Sequence, residues 1–158
     1  MLDIHRLESS VSAAELVEAI ENITEYALLV VSGHTITNEA YVYGVFVARP
    51  LIDGPCIQDG GSDFDETALM FQLSPFHDVF RGTIGAPAWH SNKDGLIFGN
   101  KDHGAALALD TSLTEARVTH KLPGAGAGAK AVYRPNVYRS DFETLLSIDA
   151  VELWGKIV

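Results

Sequence analysis

The sequence has very little cysteine, since Cys56 is the only one in 158 residues. A single thiol excludes an intramolecular disulfide and a thiolate-rich zinc site. The nearest charged residues in the sequence, Asp53 and Asp59, are both acidic. Carboxylates disfavour the thiolate form, and there is no second cysteine to resolve an oxidised thiol. A peroxidase-like role for Cys56 is therefore disfavoured.

Basic residues and long apolar runs are also scarce. The sequence has eleven basic and 21 acidic residues, which gives a formal net charge of −10. Such a surface repels nucleic acid and anionic lipid, keeps the chain in solution, and suits a basic protein partner. The strongest apolar run, Ala40 to Ala48, is far shorter than the roughly 20 residues of a membrane helix. The first residues lack the order of a signal peptide, so we expect a cytoplasmic protein without membrane insertion.

What the sequence does contain is typical of one globular domain, spanning residues 1–158. Hydrophobic residues make up 47% and charged residues 20%, an ordinary balance for a packed core. Ser12 followed by Glu15 forms a capping-box pattern, and apolar residues then recur at helical spacing, which predicts a helix from Ser12 to Asn22. Ser140 and Glu143 repeat the pattern and predict a second, short helix.

The rest of the chain is dominated by short strand signals. Ala40 to Ala48 is apolar on both alternating faces, which predicts a central strand covered on both sides. Glu115 to Lys121 alternates and predicts a strand with one wet face. Leu51 to Glu66 is expected to be a surface loop, and residues 123–130 a flexible glycine–alanine loop. The other predicted strands are Tyr26–Val31, Thr67–Leu73, Gly95–Gly99, Ala105–Leu109 and Ala150–Trp154. Together these predict an α+β fold in which two antiparallel β-sheets pack as a sandwich with flanking helices.

No cofactor or metal motif emerges. The six histidines lack zinc-ligand spacing, so we expect them to be satisfied surface residues. The acidic segment Asp59 to Glu66 does not match a calcium-binding loop, and Gly124 to Lys130 does not match a phosphate-binding loop. We predict no catalytic residue. The polar or interaction candidates are His77, Asp78, His90, Asp102, His103 and Glu152. Trp154 is expected in the core.

Several segments, in order, resemble the TLDc domain family. Gly104 to Asp110 after a Leu-Ile-Phe-Gly strand is similar to its most recognisable stretch, and Leu73 to Gly82 resembles the fungal branch. The other matching segments are Tyr26–Val31, Val42–Phe46, Leu69–Leu73, Gly95–Gly99 and Ala150–Trp154. Two family segments are not matched: a tryptophan-containing strand before the Ser12 helix and a Thr-Phe-x-Asn segment after Asp110. We therefore expect a TLDc-like domain with a shortened N-terminus.

The resemblance implies a sandwich fold, a role in oxidative-stress resistance, and binding to or regulation of the vacuolar proton ATPase. It implies no agreed catalytic residues. The first hypothesis is thus a noncatalytic protein-interaction domain. A second is a small antioxidant or hydrolytic enzyme that uses Cys56 or a histidine–aspartate cluster. A third is a structural domain of a larger protein.

Overall fold

The structure is a computed structural model and describes residues 3–6, 11–48, 65–83, 88–124 and 131–157. Cys56, most of the predicted acidic loop and most of the glycine–alanine loop lie outside these residues. The described part of the chain forms one helix and ten strands. In chain order they are β1 (Asp3–Arg6), α1 (Ala13–Glu21), β2 (Ile23–His34), β3 (Ala40–Ala48), β4 (Asp65–Ser74), β5 (Asp78–Gly82), β6 (Trp89–Asn92), β7 (Gly95–Asn100), β8 (His103–Asp110), β9 (Glu115–Lys121) and β10 (Phe142–Ile157).

The predicted first helix is confirmed, together with its capping box. The Ser12 backbone N–H donates to the Glu15 carboxylate at 2.7 Å, and the Glu15 N–H donates to Ser12 Oγ at 3.3 Å. The carboxylate also accepts a hydrogen bond from Ser12 Oγ at 3.1 Å. The hydrogen bonds that it accepts from the Ser12 backbone and, to a smaller extent, from the Ser12 hydroxyl lower the pKa of Glu15. Leu16 and Ile20 are buried in the main core. The apolar face of α1 therefore covers the sheet, as its sequence period predicts.

All strand pairs in the described residues are antiparallel and belong to one continuous sheet, so the prediction of two separate sheets is wrong. The order is β5-β4-β3-β2-β10-β9-β8-β7-β6, and β1 also pairs with β10. Continuity arises because β10 is 16 residues long. Its first part pairs with β9 and the remainder with β2 and β1. A strand of this length connects the two halves of the sheet, which the sequence pattern predicts to be two separate sheets.

The sheet nevertheless curls back on itself. Four strands lie between β5 and β9 in the sheet order, yet the ring centroids of Phe80 on β5 and His120 on β9 are 5.7 Å apart. Tyr133 forms β-bridges both to Gly82 of β5 and to Ala105 of β8. The side chains of the two halves therefore share one core. Its largest fully buried members are Trp89, Tyr43, Tyr133, Phe80 and Phe98.

The predicted helix at Ser140 is wrong, because the chain enters β10 at Phe142. The serine and glutamate spacing imitates a helix start, but Glu143 instead lies opposite Thr119 of β9. Its carboxylate pairs with Arg117 at 3.2 Å. Alternating exposure along Phe142 to Leu146 fits a strand. Cross-strand pairing therefore overrides the local capping signal, and α1 is the only helix among the described residues.

Two predictions about burial need correction. Trp154 is half-buried and lies on the opposite face of β10 from the buried Val151 and Leu153, so it is not a main-core residue. The second face of β3 is only partly covered, since Phe46 is half-buried while Val45 is buried. On β9 the predicted alternation is confirmed, except that Thr119 on the wet face is also buried.

In the described ranges, no helix has the length and apolar character needed to cross a membrane.

Candidate functional site

A largely buried ion pair joins the segment before β10 to the start of β5. Arg139 Nη1 lies 2.9 Å from Asp78 Oδ2, and the two side chains are 21% and 11% exposed. The same nitrogen donates to Gln72 Oε1 at 3.0 Å, and Asn136 Nδ2 donates to Asp78 Oδ1 at 3.1 Å. The Asp78 carboxylate also accepts the Val79 backbone N–H at 2.9 Å. Arg139, Asp78, Gln72 and Asn136 are called the polar cluster below.

His120 extends this cluster into the core. Its side chain is fully buried, so the expectation of a surface histidine is wrong at this position. Nδ1 lies 3.0 Å from the Ser140 carbonyl oxygen, and the Asn136 backbone N–H donates to Nε2 at 3.0 Å. This pairing requires a neutral ring that carries its proton on Nδ1. Burial lowers the pKa of His120, which favours that neutral form.

Aromatic rings surround the Arg139 guanidinium. Its central carbon lies 4.6 Å from the Phe76 ring centroid and 4.2 Å from that of Phe142. The His120 ring stacks on Phe142 with centroids 5.1 Å apart. Burial raises the pKa of the nearby Tyr43 hydroxyl to about 12, although the positive charge of Arg139 opposes this rise. The cation is therefore held by a carboxylate and two ring faces.

The polar cluster fixes a tight turn at Asn136 to Arg139. The Arg139 N–H donates to the Asn136 carbonyl oxygen at 3.1 Å, and the Tyr138 N–H donates to Asn136 Oδ1 at 3.0 Å. Asn136 thus contributes to the turn and to the cluster at the same time. The turn presents Val137 and Tyr138 to solvent, and Tyr138 is 95% exposed.

A second hydrogen-bonded turn connects β2 to β3. The Thr35 N–H donates to the Glu39 carbonyl oxygen at 3.0 Å, and the Asn38 N–H donates to the Thr35 carbonyl oxygen at 2.9 Å. Thr35 Oγ1 also accepts the Glu39 N–H at 3.1 Å. Asn38 adopts a φ of 64°, which asparagine tolerates better than most residues. The turn presents Ile36, whose side chain is fully exposed.

Two adjoining depressions lie between these turns. One has a volume of about 780 Å³ and is lined by Ile36 and Leu145. The other, of about 380 Å³, is lined by Phe76 and Tyr138. Tyr41 and Thr144 line both, so the two depressions adjoin. The two-turn surface is defined as the exposed apolar side chains of this region together with the two residues that line both depressions. Its members are Ile36, Tyr41, Phe76, Val137, Tyr138, Thr144 and Leu145.

Acidic side chains border the larger depression. Glu115 and Glu143 line it, and Asp149 pairs with the lining residue His34 at 2.9 Å. Arg117 pairs with Glu143 at 3.2 Å, and both side chains are about half exposed. The border therefore carries three carboxylates, one guanidinium and the imidazole of His34.

The structure separates the candidate residues predicted from the sequence. Asp78 belongs to the polar cluster, whereas its neighbour His77 is exposed. His90 is exposed on β6, opposite Ile97. Of the histidine–aspartate neighbours His77–Asp78 and Asp102–His103, only Asp78 contributes to the polar cluster.

The remaining candidates lie elsewhere. Asp102 is exposed in the turn before β8, where its backbone N–H donates to Asn100 Oδ1 at 2.9 Å. His103 is half-buried at the start of β8. Glu152 is half-buried on β10, with Val30 as its partner in β2. In the part of the chain that the structure describes, no three histidine, cysteine or acidic residues are grouped to hold a metal ion.

Sequence reasoning missed Asn136, Arg139 and Gln72. Their partners in the polar cluster lie 58 to 67 residues away in the sequence, so no local spacing reveals these contacts. One signal was available for His120, since it continues the buried face of Ala116 and Val118 on β9.

Comparisons with known proteins place this fold in a family. No curated protein matches the chain. The family model described as the TLDc domain matches residues 6–157, which is nearly the whole chain. The matched region contains the polar cluster, both turns and the long strand β10. The chain therefore belongs to the TLDc domain family.

Proposed function

We propose that this chain is a noncatalytic protein-interaction domain that supports oxidative-stress resistance by binding the vacuolar proton ATPase. The observation that carries the binding role is the two-turn surface, where two hydrogen-bonded turns hold Ile36 and Tyr138 almost fully in solvent. Exposed apolar groups around a depression are typical of protein-binding sites. The TLDc family is associated with oxidation-resistance proteins, and the ATPase is the partner that the family resemblance implies.

The hydrogen bonding of the polar cluster supports a noncatalytic role. Asp78 accepts from Arg139, Asn136 and its neighbour's backbone, which occupies most of its acceptor capacity. Both ring nitrogens of His120 are bonded to backbone groups. A general base needs an unoccupied acceptor within reach of a substrate. These two groups instead position the turn that carries Tyr138.

The test is a direct binding measurement with purified vacuolar proton ATPase on a sensor surface and the full 158-residue chain in solution. An F-type ATP synthase on a second surface is the control. Saturable binding of the chain to the vacuolar enzyme alone is the expected result. Equal binding to both enzymes, or to neither, overturns the assignment of the partner.

The enzyme hypothesis is tested separately by following peroxide consumption and ester hydrolysis with the purified chain. No turnover above a heat-denatured sample is expected. Catalytic turnover that survives removal of contaminants by a second purification step contradicts the noncatalytic proposal.

A further inference from the structure

The two-turn surface combines apolar groups with an acidic border, and this combination indicates a particular kind of partner. We propose that it binds a cationic amphipathic segment of a partner protein, with apolar side chains in the depressions and lysine or arginine side chains on Glu115, Glu143 and Asp149. This inference rests on the proposed interaction role and adds the binding surface and the chemistry of the bound segment.

Both turns are organised before any partner arrives. Backbone hydrogen bonds of 2.9 to 3.1 Å close each turn. The turn that carries Tyr138 is further held by the Asp78–Arg139 ion pair. A surface that is already ordered loses little conformational entropy on binding. Ile36 is fully exposed, so its burial in a complex removes apolar area from water without disturbing the core.

The charges select a basic partner. Of the three carboxylates at the border, Glu143 pairs with Arg117 and Asp149 with the imidazole of His34. Both pairs are about half exposed, and one arginine among three carboxylates leaves the border acidic while His34 is neutral. The cation of Arg139 is occupied by Asp78 and does not offset them. A second copy of this chain also carries a formal charge of −10, so long-range repulsion opposes self-association. Lysine or arginine beside an apolar residue satisfies both parts of the surface.

The dimensions suit a short segment. The larger depression, at about 780 Å³, falls within the range of roughly 300–1,000 Å³ that is common for binding pockets. The smaller one adds about 380 Å³ and presents the rings of Phe76 and Tyr138. Aromatic rings provide large contact areas and also accept cations on their faces. One segment that crosses Tyr41 and Thr144 contacts both depressions.

The probe is a synthetic peptide that alternates leucine and lysine, titrated into the ¹⁵N-labelled full chain. Two peptides serve as controls, one with serine for leucine and one with glutamate for lysine. Amide shifts are expected at the two turns and in Thr144 to Ser147 with the leucine–lysine peptide alone. Equal binding of the serine peptide indicates charge attraction only and overturns the proposal, as does a shift pattern centred elsewhere.

Matched variants test the two parts of the surface. Ile36→Ser is expected to weaken peptide binding about tenfold, whereas Val79→Ser, an exposed β-branched residue on β5, leaves it unchanged. The double variant Glu115→Gln/Glu143→Gln is expected to slow association several-fold at low salt, with a smaller effect at high salt. Glu18→Gln/Glu21→Gln on α1 is the charge control. Equal effects of test and control variants contradict the proposal.

The same variants separate this inference from the proposed function. Binding of the vacuolar proton ATPase that Ile36→Ser leaves intact means that the domain binds its partner through another surface, so only the inference fails. Peptide binding at the two turns without any binding of the ATPase sustains the surface but overturns the partner.

Discussion

The carboxylate of Asp78 and the guanidinium of Arg139 lie 2.9 Å apart although they are 61 residues apart in sequence. The pair connects the edge strand β5 to the segment that leads into β10. Because both side chains are largely shielded from water, removal of one partner leaves a poorly solvated charge. The pair therefore determines where the exposed turn at Asn136 to Arg139 sits.

Asp78→Ala should lower the free energy of unfolding by about 3 kcal/mol, the lower end of the range for breaking a buried pair. Urea denaturation measures the change. The double variant Asp78→Ala/Arg139→Ala should lose less than the sum of the single variants, because neither charge is then left alone. Asp94→Asn, in an exposed turn, is the control. Strict additivity of the two substitutions contradicts a direct interaction.

Protonation of His120 should lower the stability of the domain in mild acid. Its pKa is lowered in the folded state, mainly by burial and also by Arg139, while the hydrogen bond to the Ser140 carbonyl and, to a smaller extent, Asp141 and Asp78 oppose this. The unfolded state therefore binds the proton more readily, and stability is lost as pH falls through about 6.5 toward the lower folded value. The loss is at most about 1.4 kcal/mol per pH unit.

Urea midpoints measured from pH 8 to pH 5 check this dependence. His120→Gln should flatten the slope in that window, whereas His77→Gln, at an exposed position, should follow the wild type. A slope that persists unchanged in His120→Gln assigns the effect to another group.

Asp110 stabilises the turn between β8 and β9. Burial alone raises its pKa, but hydrogen bonds from the Thr114 side chain and from the backbone of Glu115 and Thr114 outweigh this and lower it. Its contribution is present above the ordinary pKa of about 3.9 and is lost as pH falls through the lower folded value. Asp110→Ala should cost about 2 kcal/mol near neutral pH, and Asp102→Ala should cost little. Equal thermal shifts for the two variants contradict this role.

Ser12→Ala should lower the free energy of unfolding by about 1 kcal/mol, because it removes the acceptor of the Glu15 N–H at the start of α1. The same substitution at the exposed Ser91 on β6 is the control. Chemical denaturation of both variants measures the difference, and an unchanged midpoint for Ser12→Ala shows that the cap does not contribute.

Cys56→Ser should leave protection against peroxide unchanged in cells that depend on this protein. The prediction follows from the acidic neighbours of the thiol and the lack of a second cysteine. Survival curves and the melting temperature of the purified variant are compared with the wild type. Loss of protection without loss of stability overturns the noncatalytic proposal and favours an enzyme that uses Cys56.

Local signals in the sequence predicted local structure well. The Ser12 capping box was found because its two partners are three residues apart. Strands β3 and β9 were found because they alternate or run apolar over their full length. β6, with four residues, escaped detection because so short a strand carries no periodic signal. The family resemblance added the order of these segments.

Interactions between distant segments could not be predicted in the same way. Asp78 was identified as a candidate, but nothing near it in the sequence indicates Arg139 or Asn136. Glu143 looked like part of a helix cap because Ser140 lies three residues before it, whereas its actual partner, Arg117, lies on another strand. Trp154 looked like a core residue because tryptophan is usually buried, yet the alternation with Leu153 places it on the other face. In each case, the position of the side chain depends on contacts with segments that are distant in the sequence.

The position of β10 has a consequence for folding during translation. β10 is the last described strand to be synthesised, yet it is hydrogen-bonded to β1, β2 and β9. Until it leaves the exit tunnel, β2 and β9 each keep an open edge, and open edges are sites of intermolecular pairing. The sheet is therefore completed only after translation has passed Ile157, and a nascent chain that stalls earlier exposes the edges of β2 and β9 to pairing with other chains.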